Sequence, residues 1–464
     1  MSTVHVFSGP TIPAARVRDL VPGAVCHPPV RHGDLIRLSA APGDTVVIID
    51  GLWHQTAALR HKEVLLLLST GVRVVGAASM GALRACELAP YGMTGVGRIF
   101  EDLMTGLLDA DDEVAVAHTP EGQPLSEALV NIRTALARCA AAGKISQADA
   151  DILVGLARAL PYNRRTWAAL RHQAQGRGTE AAFARVERWR RTHPYDVKRE
   201  DAEHALVLVA QGKLPQPAAT AAAWSDQPWR TSFVRYWTAA HRPGPNGVAF
   251  LAVLQYLQLY DEEFPARWRA RVLTAIGGGA GPHGDAAAAV RCAAVEGVDI
   301  AAMSRQQLAH WLTPRERRTL AEDEQLIRLM VRSARLDGAW SVWPSTPEEA
   351  GNLVDVDEAL AAAKAVTAAY AVNAAVEVAD ARHTTARLSA DRIGNHLKAR
   401  WRLRPCAGQP ELDAAARDRA FRDFAGAAEV ARAFYLSARA ETPAVSAGSA
   451  VSTCSGCPMA SQRT

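Results

Sequence analysis

Residues 72–85, VRVVGAASMGALRA, constrain the fold more than any other stretch of the chain. Val74 and Val75 are β-branched, and no charge falls between Arg73 and Arg84, as a strand buried on both faces requires. Gly76, Ala77, Ala78 and Ser79 then crowd a tight turn, and residues 80–88 are rich in helix formers. A strand that turns straight into a helix puts Ser79 at the carboxyl end of a sheet, beside the amide dipoles of a helix start. That place suits a nucleophile, an anion-binding hydroxyl or a plain helix cap. Ala77 stands where the G-x-S-x-G elbow has its first glycine, so the match to that motif is partial.

The sequence around this unit alternates in the same way. Residues 4–7 read as a first strand stopped by Ser8, Gly9 and Pro10, with a helix over 14–20. Short strands are expected at 24–26 and 45–49, the second ending in Asp50 and Gly51, and a helix over 61–68. Residues 114–116 are expected to form a last strand after the acidic run 109–113. Strands alternating with helices predict an α/β fold, a three-layer domain with a mostly parallel sheet, over residues 1–143. In such sheets ligands sit at the carboxyl ends of strands, where Ser79, Asp50 and the Gly9 turn all fall. Gly95, Val96 and Gly97 lack a third glycine and a preceding strand, which excludes a dinucleotide fingerprint.

From residue 125 the pattern becomes helical almost without interruption, and alanine becomes more frequent. Residues 144–440 are expected to form a largely α-helical region that binds partners, and 441–464, rich in Ser, Ala and Thr, a flexible tail. Arg185, Arg188, Trp189, Arg190 and Arg191 form one basic and aromatic cluster. Trp224, Trp229, Arg230, Phe233, Arg235, Tyr236 and Trp237 form a second, and Arg400, Trp401, Arg402 and Arg404 a third. Each could serve as core plus solvated face or as a binding surface. The pair Cys454 and Cys457 has C-x-x-C spacing without a second pair. A formal charge of +4 over 464 residues gives no basis for nucleic-acid or membrane binding. Seven scattered cysteines and an N-terminus without a signal-peptide pattern predict a cytoplasmic protein.

The front of the chain resembles the TfuA-like proteins, which accompany YcaO enzymes in peptide thioamidation. The resemblance rests on FSGPTI at 7–12, IIDG at 48–51, GAASMGALRA at 76–85, DDEVAV at 111–116, His118 and VNIR at 130–133. It covers residues 4–135 in order and spacing. It implies a part in ribosomal peptide backbone thioamidation, with a YcaO enzyme as partner. It also implies hydrolysis of the C-terminal thiocarboxylate of a ThiS-like sulfur carrier, which would release sulfide. The precursor peptide is a further candidate partner. No cofactor and no metal is called for.

Cleavage of a thiocarboxylate is acyl transfer to water, which needs a nucleophile, a base and a cradle for the oxyanion. Ser79 is the candidate nucleophile, and the Met80 and Gly81 amides are the candidate oxyanion donors. Gly9 and Arg84 are candidate substrate contacts. The base is His118 or His61. His61 opens a helix, with Asp50 or Glu63 as its candidate orienting acid. His118 follows the acidic run, with Asp112 as a candidate partner. Arg84 could instead pair with Glu87 at i+3, while Asn131 and Arg133 are expected to tie their helix to the sheet.

Overall fold

A computed structural model describes residues 2–54, 56–119, 122–220, 223–224, 231–278, 285–334, 343–344, 346–379 and 384–441. The chain divides into two compact units, Met1–Trp229 and Arg230–Thr464. The first unit therefore runs past residue 143 and takes in the helices up to residue 210. Cys454 and Cys457 lie outside the described residues, as does the whole of 442–464, so the expected tail has no structural description.

The first unit is built on a five-stranded sheet of β1 (Val4–Phe7), β2 (Val25–His27), β3 (Thr45–Ile48), β4 (Arg73–Ala77) and β5 (Thr94–Val96). Its order is β2-β1-β3-β4-β5. All four pairings are parallel. Period-two alternation sorts the apolar side chains onto two faces. Val6, Val47, Ile49, Val75 and Val96 pack under α1 (Ala14–Leu20) and α10 (Val197–Ala210). Phe7, Val46, Ile48 and Val74 pack on the other face, with Leu35 of the short α2 (Asp34–Arg37), under α3 (His61–Ser69) and α4 (Met80–Leu88). The result is the expected three-layer parallel α/β domain.

Residues 114–116 do not form the expected last strand. The fifth strand is Thr94–Val96, next to β4. Its three residues include Gly95, whose missing side chain admits the Phe100 ring, so the segment carries no alternating pattern to read. Beyond it lie α5 (Arg98–Met104), α6 (Leu129–Ala141), α7 (Gln147–Arg158), α8 (Trp167–Ala174) and α9 (Glu180–Arg190). Helices α6 to α9 share a separate apolar core that includes Leu136, Leu153, Leu170 and Phe183.

The described residues of the second unit are mostly helical, as expected for the C-terminal region, with one isolated bridge between Pro243 and Ala249. Its core includes Phe250, Leu254, Phe264, Trp268 and Phe434. Arg332, 1% exposed, binds Glu316 and Asp418, each at 2.7 Å. The third aromatic and basic cluster is largely structural. The Trp401 indole donates to the Leu259 carbonyl at 2.9 Å, and Arg419 stacks over its ring. Of the second cluster, Trp224 is buried and Phe233 is exposed, while Trp229 and Arg230 lie outside the described residues. One described helix, Val356–Ala379, is long and apolar enough to cross a membrane by length and composition. It carries Asp357, Glu358, Lys364 and Glu377, and its Ala359, Ala362, Ala363, Val366 and Ala369 are buried in the unit's core.

Helix α10 is bound into the sheet domain by charge as well as packing. Asp201 accepts the Arg98 and Ile99 amides at 2.9 and 2.8 Å and so caps α5. The cap fits because Gly97, at φ 101°, has no Cβ to meet the Asp201 carboxyl. Burial raises the Asp201 pKa to about 6, against the pull of those two amides. Folding therefore favours the protonated acid. That stabilisation is present below the unfolded value and is lost as pH rises from about 4 through 6, by about 3 kcal/mol. The stability difference between wild type and Asp201→Asn, measured by denaturant unfolding from pH 4 to pH 7, is expected to shift by that amount in favour of the variant. A flat difference would show that Asp201 titrates normally.

Candidate functional site

The end of β4 holds its serine in a strained turn. The Ser79 amide donates to the Ala77 carbonyl at 2.8 Å across Ala78, which sits at φ 66°. This is a γ-turn with an alanine in the left-handed region, at a cost of about 1–3 kcal/mol. Helix α4 begins immediately, with Ala82 and Leu83 donating to the Ser79 carbonyl. Ser79 makes no side-chain cap, and its hydroxyl bonds to no other described residue. The capping role is therefore excluded, and Ser79 is left partly exposed at the carboxyl end of β4.

Two glycines set how deep this helix start sits. A Cβ on Gly81 would lie 1.8 Å from the Ile48 carbonyl oxygen, and one on Gly76 would lie 2.0 Å from that of Gly81. The Gly81 amide donates to the Ile49 carbonyl at 3.2 Å. It is therefore committed to the sheet and is not the oxyanion donor expected from sequence. The Met80 amide, in the first turn of α4, has no intrahelical acceptor and remains the candidate donor. Its side chain is buried, accepting the Trp53 indole N–H at its sulfur, 3.2 Å away.

Asp50, 2% exposed, organises the neighbouring loop rather than a histidine. Its carboxylate accepts the Gly9 and Thr11 amides at 2.8 and 3.1 Å and the Thr11 hydroxyl at 2.6 Å. Gly9 is thereby a scaffold residue, its Cα packed against Pro29. Lys198 of α10 lies in the same buried region. Its ammonium donates to the Val114 carbonyl at 2.8 Å. Burial lowers its pKa, opposed by the charges of Asp50, Asp196 and Glu127.

A cleft of about 330 Å³ opens above this floor, and Ser79, His118, Asp50, Trp53, Tyr162 and Val114 are among its lining residues. His118 Nδ1 lies 2.7 Å from the Thr119 carbonyl. A carbonyl only accepts, so Nδ1 donates here, and in the neutral ring the lone pair falls on Nε2. The orienting partner is thus a backbone oxygen and not Asp112. Asp112 pairs instead with the fully buried Arg165 at 2.7 Å. Neighbouring Glu113 binds Arg133 through both oxygens, at 2.9 and 2.7 Å, which ties α6 to the turn at 111–113 and not, as expected, to the sheet. Asn131 joins α6 to the start of α10 by donating to Asp196 at 3.0 Å.

His61 is not among the residues lining this cleft. It is half-exposed and pairs with Glu87 at 2.7 Å. Arg84 meets the same Glu87 oxygen at 2.5 Å, confirming the salt bridge expected at i+3. Glu63 is buried and accepts from the Gly33 and Arg60 amides, with His32 at 2.7 Å. Burial raises its pKa, opposed by the His32 bond. Neither Asp50 nor Glu63 orients His61, and neither Arg84 nor Glu63 lines the cleft. Among the described residues no group of His, Cys, Asp or Glu has the geometry of a metal site.

Sequence reading missed Lys198, Thr11, Trp53 and Tyr162. Lys198 carried a signal, because it falls on the apolar face of α10 at i−4 to Ala202. The loop residue His54 was also silent in sequence; it adopts φ 60° and pairs with the Tyr162 hydroxyl at 2.8 Å.

Removing Asp50 strands three donors in a dry setting and costs Lys198 a neighbouring anion. Asp50→Ala is expected to lose about 3–5 kcal/mol in denaturant unfolding. His61→Ala, which breaks a surface pair, is expected to lose less than about 1 kcal/mol. Equal losses would show that the two acid–partner assignments are wrong.

No curated protein matches the chain. The model of the TfuA-like protein family matches residues 50–166, a span that contains Asp50, Ser79, His118 and Tyr162. Over this segment the chain is similar to the TfuA-like protein family.

Proposed function

We propose that the first unit hydrolyses the C-terminal thiocarboxylate of a ThiS-like carrier, and that the protein acts with a YcaO enzyme in ribosomal peptide thioamidation. The partners and pathway rest on the family. The chemistry is supported by one observation: an uncommitted serine hydroxyl and a histidine with a free Nε2 line the same cleft. In this reading Ser79 Oγ attacks the thiocarboxylate carbon while His118 Nε2 takes its proton. The C–S bond breaks as the imidazolium passes that proton to the departing sulfur, which leaves as hydrosulfide, so the histidine is again neutral and the carrier is held as an ester on Ser79. Water, deprotonated by the same histidine, then attacks the ester, and the proton returns to Ser79 as the carboxylate departs. The Met80 amide faces the oxyanion in both steps. Asp50 and Lys198 act as positioning residues for the loops that form the walls.

A second reading is a non-catalytic adaptor that activates YcaO and recruits the carrier. It is favoured by the Gly81 amide, which is spent on Ile49 and leaves the oxyanion cradle with one fewer donor.

Mass spectrometry of a thiocarboxylated ThiS-like carrier incubated with the protein separates the two. Hydrolysis predicts conversion to carboxylate that Ser79→Ala abolishes. It also predicts a loss of about 100-fold or more in His118→Ala, with His61→Ala unaffected. An unchanged carrier with wild-type protein would sink the hydrolase and leave the adaptor.

A further inference from the structure

Helix α9 presents a basic face that the candidate site does not use. Its inner side is fixed by buried Ala182, Phe183, Val186 and Trp189. Arg190 is turned inward over the Trp167 ring, 4.7 Å from its centroid, and Glu187 is engaged by Arg171. Arg185 and Arg188, with Arg191 just beyond the helix end, point to solvent. They recur every three residues and so line one side of the helix, about 5–6 Å apart. Lys144 joins them, because Arg185 and Lys144 both act on the buried Cys139 thiol. None of these four cations makes an ion pair among the described residues. Elsewhere on this unit Arg16, Arg84, Arg133, Arg138, Arg165 and Arg199 are all paired with carboxylates.

We propose that the outer face of α9 is a docking surface for an acidic helix of a partner protein. A helix with carboxylates at i, i+3 and i+6 presents them at the same spacing, so each guanidinium can meet one carboxylate with two parallel N–H···O bonds. The face spans only about 9 Å of helix axis, a short track for a nucleic-acid backbone. Trp167 and Trp189 are buried, so neither offers a ring for stacking bases. The surface is rigid, because the opposite side of the helix is anchored in an apolar core, and little ordering is needed on binding.

The probe is a fluorescein-labelled alanine-rich helical peptide with glutamates at i, i+3 and i+6, titrated against the full chain by anisotropy. Two comparison probes carry the same charge: a peptide with its glutamates distributed around the helix, and a short DNA oligonucleotide. The aligned peptide is expected to bind tightest. Arg185→Glu, Arg188→Glu and Arg191→Glu together should weaken it by about tenfold or more. Reversing the exposed Arg18, Arg73 and Lys213 together changes net charge equally and should leave affinity within about twofold. Circular dichroism establishes that both triple variants are folded. Equal weakening by the two triples, or no preference between the peptides, would reduce the effect to net charge and overturn the proposal. Tighter binding of the DNA would overturn it in favour of a nucleic-acid surface.

Discussion

The first unit depends on how closely two backbones approach. At Gly76 and Gly81 the end of β4 and the first turn of α4 lie so near that no Cβ fits between them. This proximity lets the Gly81 amide reach across to Ile49 and lock the helix start onto β3 as well as β4. The turn joining them has little slack, which is why Ala78 is held in the left-handed region. Ser79 inherits its position from this geometry. Its hydroxyl is presented by a backbone that has no room to relax, on elements more exact than a loop could be. A single methyl group at either glycine would push α4 off the sheet and carry the serine with it.

Charge does the second half of the work, beneath the cleft. Asp50 ends β3 and takes three hydrogen bonds from the turn after β1, so two strand ends at the reversal of strand order are fixed to each other. Lys198 approaches the same buried region from α10 and holds the Val114 carbonyl, and with it the wall that leads to His118. The ammonium and the carboxylate are each costly to bury alone and offset one another in place. Floor and wall are thus parts of one polar arrangement, although its members come from four different segments of the chain.

Much of this was legible in the sequence, and the failures share a physical cause. The strand before Ser79, the helix after it and the parallel α/β class follow from local pattern, and so does the Arg84–Glu87 pair at i+3. Assigning partners to acids by nearness in sequence failed. Glu63 bonds His32, Asp112 bonds Arg165 and His61 bonds Glu87, at separations of 31, 53 and 26 residues. Periodicity tells which face a residue occupies but not which distant group faces it. The strand β5 was missed because three residues with a central glycine carry no period. Asp201 and Lys198 were visible only as charges on the apolar face of an otherwise ordinary helix, a conflict that marks a buried polar role.

Helix α10 has a consequence for how the chain is made. It covers Val6, Val47, Val75 and Val96 on one face of the sheet through Ala202, Ala205 and Leu206. It caps α5 from 102 residues away and pairs Glu203 with Arg16 from 187 away. All five strands leave the ribosome about a hundred residues before the helix that covers them. During that interval a nearly complete sheet has one apolar face covered by α1 alone, at a stage when exposed strands are prone to aggregate. Completion of the unit is therefore a late event in synthesis, and the emergence of residues 197–210 is the step that closes it.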